Sequence, residues 1–113
     1  MKINTNTKIK NLIGENFTII KDHKETELLL GDVLFSALSN STGVELKISW
    51  ALLPKLAQEN EDILLDDQQK NALIRALEQM AQLPQSQRYN LIVYGRCLDI
   101  LNGKVEETKK GKK

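Results

Sequence analysis

Residues 66–81 read DDQQKNALIRALEQMA, and this stretch decides the fold. Asp66 and Gln69 stand at the spacing of a capping box, in which each side chain satisfies the other residue's backbone N–H. Leu73, Ala76, Leu77 and Met80 recur at helical spacing and make one apolar face. Lys70, Asn71, Arg75 and Glu78 fall on the other side. Leu83-Pro84 stops the helix, because the residue before a proline avoids the α region. An amphipathic helix of this kind must bury its stripe against other elements.

Downstream, residues 86–102 predict a last helix, with Gly103 as the residue just past its end. Its apolar set is wide. Leu91, Val93, Tyr94, Cys97, Leu98, Ile100 and Leu101 cover about half the circumference. Such a helix is either the central core element or one that also faces a partner chain, and the expected fold makes it the central one. Residues 104–113 carry Lys109, Lys110, Lys112 and Lys113 and read as a disordered tail.

Upstream, residues 44–58 (VELKISWALLPKLAQ) admit two readings, of which a helix kinked near Pro54 is the one that the resemblance described below favours. An interior proline removes one backbone bond and clashes with the preceding turn, at about 3 kcal/mol. The alternative is a strand followed by a helix with Pro54 in its first turn. Before that, Gly31-Asp32 opens a helix with Asp32 as N-cap, and Val33, Leu34, Ala37 and Leu38 form its stripe. The run SNSTG at 39–43 ends it. FTII at 17–20 and LLL at 28–30 predict a two-stranded hairpin turning at Asp22-His23-Lys24, without the Asn-Gly or Asp-Gly signature of a tight turn. Such a hairpin needs helices to pack on. Residues 1–12 read as a polar arm, loosely held or forming a short edge strand. The expected fold is therefore α+β and mostly α: an N-terminal hairpin on about four helices, one domain over 13–103.

Composition agrees with one globular domain. The chain has 113 residues, 41% hydrophobic and 27% charged. Sixteen basic residues nearly cancel fifteen acidic ones, for a net charge of +1. A dedicated duplex-DNA binder usually carries a basic excess, so this balance argues against that class while leaving a local basic patch open. The single cysteine excludes an intramolecular disulfide. Neither a signal-peptide h-region nor a membrane-length apolar run is present, which makes the cytoplasm the expected location.

The chemistry-bearing residues are sparse. His23, the lone histidine, lies in the proposed turn and reads as a solvated turn residue. Cys97 lies on an apolar face with no base nearby in sequence, and reads as a buried structural thiol. The six glycines form no phosphate-cradling loop. Glu59, Glu61, Asp62, Asp66 and Asp67 lack the calcium-loop pattern and read as a cap plus a solvated loop. Gly95, inside the last helix, costs about 1 kcal/mol against alanine. Either close approach of another backbone or tolerated drift accounts for it. Arg88, Tyr89 and Arg96 are placed on the less apolar side of the last helix, and arginine and tyrosine are favoured at interfaces. Trp50, the only tryptophan, reads first as core and second as an interface anchor.

LLLGDVLFSAL (28–38), ILLDDQQKNALIRAL (63–77) and NLIVYGRCLDIL (90–101) together resemble small, largely uncharacterised proteins of tailed bacteriophages and prophages. The resemblance spans about residues 8–102 and rests on caps, glycines and leucines. Pro54 departs from its middle-helix pattern. It implies a phage or prophage origin and a non-enzymatic role in virion assembly or in binding a host or defence protein.

The functional expectation is accordingly a protein-interaction module that self-associates, with Arg88, Tyr89, Arg96 and Trp50 as partner-binding candidates. No enzyme activity, cofactor, metal, small-molecule substrate or membrane is expected. The alternative is a small nucleic-acid-binding protein using the Lys-rich tail and the Arg88/Arg96 face.

Overall fold

The computed structural model describes residues 1–103. The tail expected at 104–113 lies outside the described residues. In chain order the elements are β1 (Lys2–Asn4), β2 (Thr18–Lys21), β3 (Lys24–Glu27), α1 (Leu30–Ser39), α2 (Leu46–Leu56), β4 (Asp62–Leu64), α3 (Asp67–Ala81), a 3-10 turn (Gln85–Gln87) and α4 (Leu91–Leu101). The class is α+β with helix dominating.

The hairpin forms, but it is shifted and tighter than the sequence suggested. β2 and β3 pair antiparallel with Lys21 opposite Lys24, leaving a two-residue turn. Asp22 and His23 both adopt left-handed backbone, at φ 50° and 67°. Positive φ at both central residues is the turn geometry that matches strand twist. The second strand is therefore Lys24–Glu27 rather than residues 28–30. Leu28 is buried, and Leu30 already belongs to α1.

Of the two readings left open for residues 1–12, the strand is what forms. β1 pairs antiparallel with β4, placing Ile3 opposite Ile63. Ile3, Thr5 and Ile9 are all buried. This segment also caps α1. The amides of Leu30 and Gly31 donate to the carbonyls of Thr7 and Thr5, at 2.7 and 3.0 Å. Helix starts leave N–H groups without intrahelical partners, and here another backbone segment satisfies two of them.

That arrangement corrects the expected N-cap. The capping position is Leu29, which has no side-chain acceptor. Asp32 stands three residues later, and its carboxylate accepts from the Leu29 amide at 3.3 Å. It supplies only the returning half of a capping box. The box at α3 is complete. Gln69 donates its amide to Asp66 Oδ1 at 2.7 Å, and Asp66 donates its amide to Gln69 Oε1 at 3.1 Å.

Residues 46–56 are helical through Pro54, which sits in the last turn. The carbonyl deprived of an N–H donor there is that of Trp50, an exposed residue, so few intrahelical bonds are lost. The last helix is shorter than expected. Residues 85–87 form a separate 3-10 turn, and α4 starts only after Asn90, whose side chain accepts from the Ile92 amide at 2.8 Å. Gly103 follows the end at φ 78°.

The core centre is also corrected. α1 and α3 each pack on the three other helices, so they share the centre, and α4 rests mainly on α3. Six of the ten α1 residues are buried: Leu30, Gly31, Val33, Leu34, Ala37 and Leu38. In α4 only Val93, Tyr94, Cys97 and Leu101 are buried. No described helix is long and apolar enough to cross a membrane.

Candidate functional site

Helix α2 is apolar on two sides. Leu52 and Leu56 are buried, and Ile48 and Leu53 are partly buried against the core. The opposite side meets solvent. Leu46 is 78% exposed and Trp50 is 70% exposed, one turn apart. Pro54 and Ala57 are exposed as well. Leu46 and Trp50 share this side, Pro54 follows Trp50 by four residues at its edge, and Leu53 lies between the two faces, half-buried against the core. Lys47 lies beside this pair and Lys55 on the far side of the helix, both exposed, and no acid falls within α2.

The expectation that Trp50 joins the core is thus overturned. The α2 sequence is apolar almost all round, so periodicity does not choose the inward face. Packing against α1 chooses it, through Leu52 and Leu56, and Trp50 is left outside. Leu46 was missed altogether, although its spacing to Trp50 is the signal that finds it.

The other candidates do not share a surface with Trp50. Arg88 and Tyr89 are not on α4, because they lie in the link before it. Arg88 Nε donates to the Leu83 carbonyl at 2.8 Å, and its Nη1 donates to the Tyr89 carbonyl at 2.9 Å. Tyr89 donates its amide to the Tyr94 hydroxyl at 3.0 Å, and the two rings tilt together at 6.2 Å. Arg96 is on α4 and reaches across the fold. Its Nε donates to the Lys10 carbonyl at 3.0 Å and its Nη2 to the Asn11 carbonyl at 2.8 Å. Both guanidinium groups fasten backbone, so they do not form one basic helix face.

The broad apolar set of α4 is largely absorbed. Leu98 and Ile100 are partly buried against the core, and Leu91 is its exposed member, at 54%. Gly95 has nothing within 4 Å of where a Cβ would stand, which removes close backbone approach as its cause.

A groove of about 360 Å³ adjoins the C-terminal end of α2, with Phe35, Leu56, Ala57 and Tyr89 among its walls. Its charged pair is already matched: Lys21 Nζ lies 2.9 Å from Asp32 Oδ1. Burial pushes the Tyr89 phenol up from its ordinary value, and the Asp32 carboxylate adds to the effect. A phenol held more firmly protonated is a poor general base. Cys97 is enclosed, and burial pushes its thiol up to about 12, the opposite of an activated nucleophile. His23 is exposed at its turn. Among the described residues no three of His, Cys, Asp or Glu gather as a metal site.

Comparison with family models, with curated proteins and with solved structures finds no match to this chain. The functional reading therefore rests on the surface itself.

Proposed function

We propose that this chain is a non-enzymatic, phage-type protein-interaction module acting in the cytoplasm, in virion assembly or in accessory binding to a host protein. One observation carries the reading: an outer face of α2 bearing the sole tryptophan at 70% exposure and Leu46 at 78%, on a helix whose exposed charges are the lysines Lys47 and Lys55 and which carries no acid. Scattered exposed leucines need no explanation, but aligned large apolar residues around a tryptophan have the composition of an interface anchor. Helical recognition commonly presents anchors one turn apart, which is the spacing of Leu46 and Trp50. The motif resemblance to small phage proteins supports the same class.

The test is a paired capture experiment with immobilised wild type and Trp50→Asp. A protein held in stoichiometric amount by the wild type and lost by the variant supports the proposal. Equal retention by both, or no retention together with a strictly monomeric chain, sinks it.

A further inference from the structure

We propose that Asn102 is a site of spontaneous deamidation, and that the C-terminal cap of α4 sets the pace of the reaction. The inference stands apart from the docking reading above.

The chemistry needs an asparagine and an unhindered nitrogen after it. That backbone nitrogen, once deprotonated, attacks the side-chain carboxamide carbon. A bond forms between the nitrogen and Cγ, the Cγ–Nδ2 bond breaks, and the amide group leaves as ammonia with the displaced proton. Water then opens the cyclic imide at one of its two C–N bonds, giving aspartate or isoaspartate. A side chain on the following residue hinders the attack, and glycine has none. Of the chain's nine asparagines, only Asn102 precedes a glycine. Asn102 is exposed, and among the described residues nothing packs within 4 Å of where a Cβ on Gly103 would stand. Water and hydroxide therefore reach both reacting groups.

The fold holds the reaction back. Asn102 sits at φ −88° and ψ 6°, which turns the Gly103 nitrogen away from the Asn102 side chain. Ring closure needs ψ to swing out of this range, because reacting atoms must align at about 3–3.5 Å. The Gly103 amide is also engaged, donating to the Ile100 carbonyl at 3.1 Å, while the Asn102 amide donates to the Leu98 carbonyl at 2.9 Å. Gly103 completes the cap in left-handed backbone, at φ 78°. A hydrogen-bonded amide gives up its proton only when that bond opens. One event, unwinding of the last turn, thus frees both the proton and the torsion. Leu101, fully buried, resists that event.

The product changes the end of the helix. A neutral carboxamide becomes a carboxylate, and the net charge of the chain falls from +1 to 0. That carboxylate stands at the negative end of the α4 dipole, where anions are disfavoured. No basic residue lies in the last turn to offset it. Isoaspartate also lengthens the backbone at the cap. The modified chain therefore holds its last turn less firmly.

The test incubates the full chain at mildly alkaline pH, folded in one arm and unfolded in guanidinium chloride in the other. Peptide mapping locates each new carboxylate, and enzymatic methylation reports isoaspartate. In the unfolded arm Asn102 is expected to react before any other asparagine. In the folded arm it is expected to react at least about 10-fold more slowly, the scale of a helix end that opens locally. Leu101→Ala removes a buried anchor of the last turn and should bring the folded rate toward the unfolded one. Amide exchange gives a second reading without a variant: the slowing of deamidation should match the protection of the Gly103 amide. An Asn102 no faster than the other asparagines when unfolded overturns the site. So does a folded chain that forms no product at Asn102 although its Gly103 amide exchanges. Equal rates in the two arms, or a Gly103 amide without protection, overturn control by the cap.

Discussion

Gly31 donates its amide to the Thr5 carbonyl at 3.0 Å, and a Cβ built on Gly31 would stand 2.8 Å from Thr5 Cβ. The helix start and the opening segment are in direct backbone apposition there. The same Cβ would lie 3.0 Å from the Leu56 carbonyl oxygen, so the obstacle includes backbone that no rotamer change removes. Alanine ordinarily gains up to about 1 kcal/mol over glycine in a helix. Overpacking costs about 1–3 kcal/mol. Gly31→Ala is expected to lose about 1–2 kcal/mol net in urea unfolding. A gain in stability would show that the opening segment yields.

Arg96 fastens residues 10 and 11 from the far end of the chain through two charge-assisted bonds. Arg96→Ala is expected to cost about 1–2 kcal/mol, the scale of losing bonds from a charged, partly buried donor. Amide exchange should quicken most over residues 9–17. Arg96→Lys recovers only part, because an ammonium does not reproduce the planar fork. Full recovery by lysine would show that charge alone matters there.

His23 holds φ 67° without being glycine. Left-handed backbone costs about 1–2 kcal/mol for an ordinary residue, while glycine's extra unfolded-state freedom costs roughly 0.5–1 kcal/mol. Asp22→Asn with His23→Gly is expected to stabilise the hairpin by about 0.5 kcal/mol, seen as slower amide exchange in residues 18–27. Faster exchange would contradict the turn geometry.

Cys97 is predicted to resist thiol reagents at pH 8 in the folded protein and to react at the rate of unfolding. Its pH dependence has a fixed sign. Burial raises the folded thiol from 9.0 to about 12, so above pH 9 the unfolded chain releases a proton that the folded one retains. Stability contributed by the thiol is whole below about pH 9 and declines as pH rises toward 12. Cys97→Ala lowers baseline stability but flattens that alkaline decline. An equally steep decline in the variant would assign it to other groups.

What the sequence disclosed was local. The Asp66/Gln69 box and the stripe of α3 were legible because cap and periodicity lie within one helix. Helix through Pro54 was not decided by the residues around it, because VELKIS alternates like a strand while WALLPKLAQ carries helix formers, and only the resemblance favoured the helix. β1–β4 pairing was not legible, since nothing in residues 2–4 refers to residues 62–64. The strand pattern at 63–65, buried then exposed then buried, was hidden behind the acidic residues beside it. The α4 start was misplaced because QSQRYN has helical propensity, although Asn90 two residues before Ile92 was the available cap signal. As for the candidate site, Trp50 was named, yet its exposure depends on which side of an all-round apolar helix α1 covers. Arg96 was read as outward because its carbonyl acceptors lie in a distant segment, and Arg88 because it was placed on a helix rather than in the link that lets it fold back on the Leu83 and Tyr89 carbonyls.

The union of residues 2–4 with 62–64 has a consequence for synthesis. A ribosome delivers the chain from its first residue onward, and strand β1 finds no mate until more than half of the described residues have emerged. Ile3 must wait for its partner Ile63 through that interval, and α1 must wait for the carbonyls of Thr5 and Thr7 to settle. Closing a loop of that length costs entropy that only the late contacts repay. The nascent chain is thus most prone to mispairing just before residue 65 leaves the ribosome, and a pause in translation once that residue has emerged would favour correct closure.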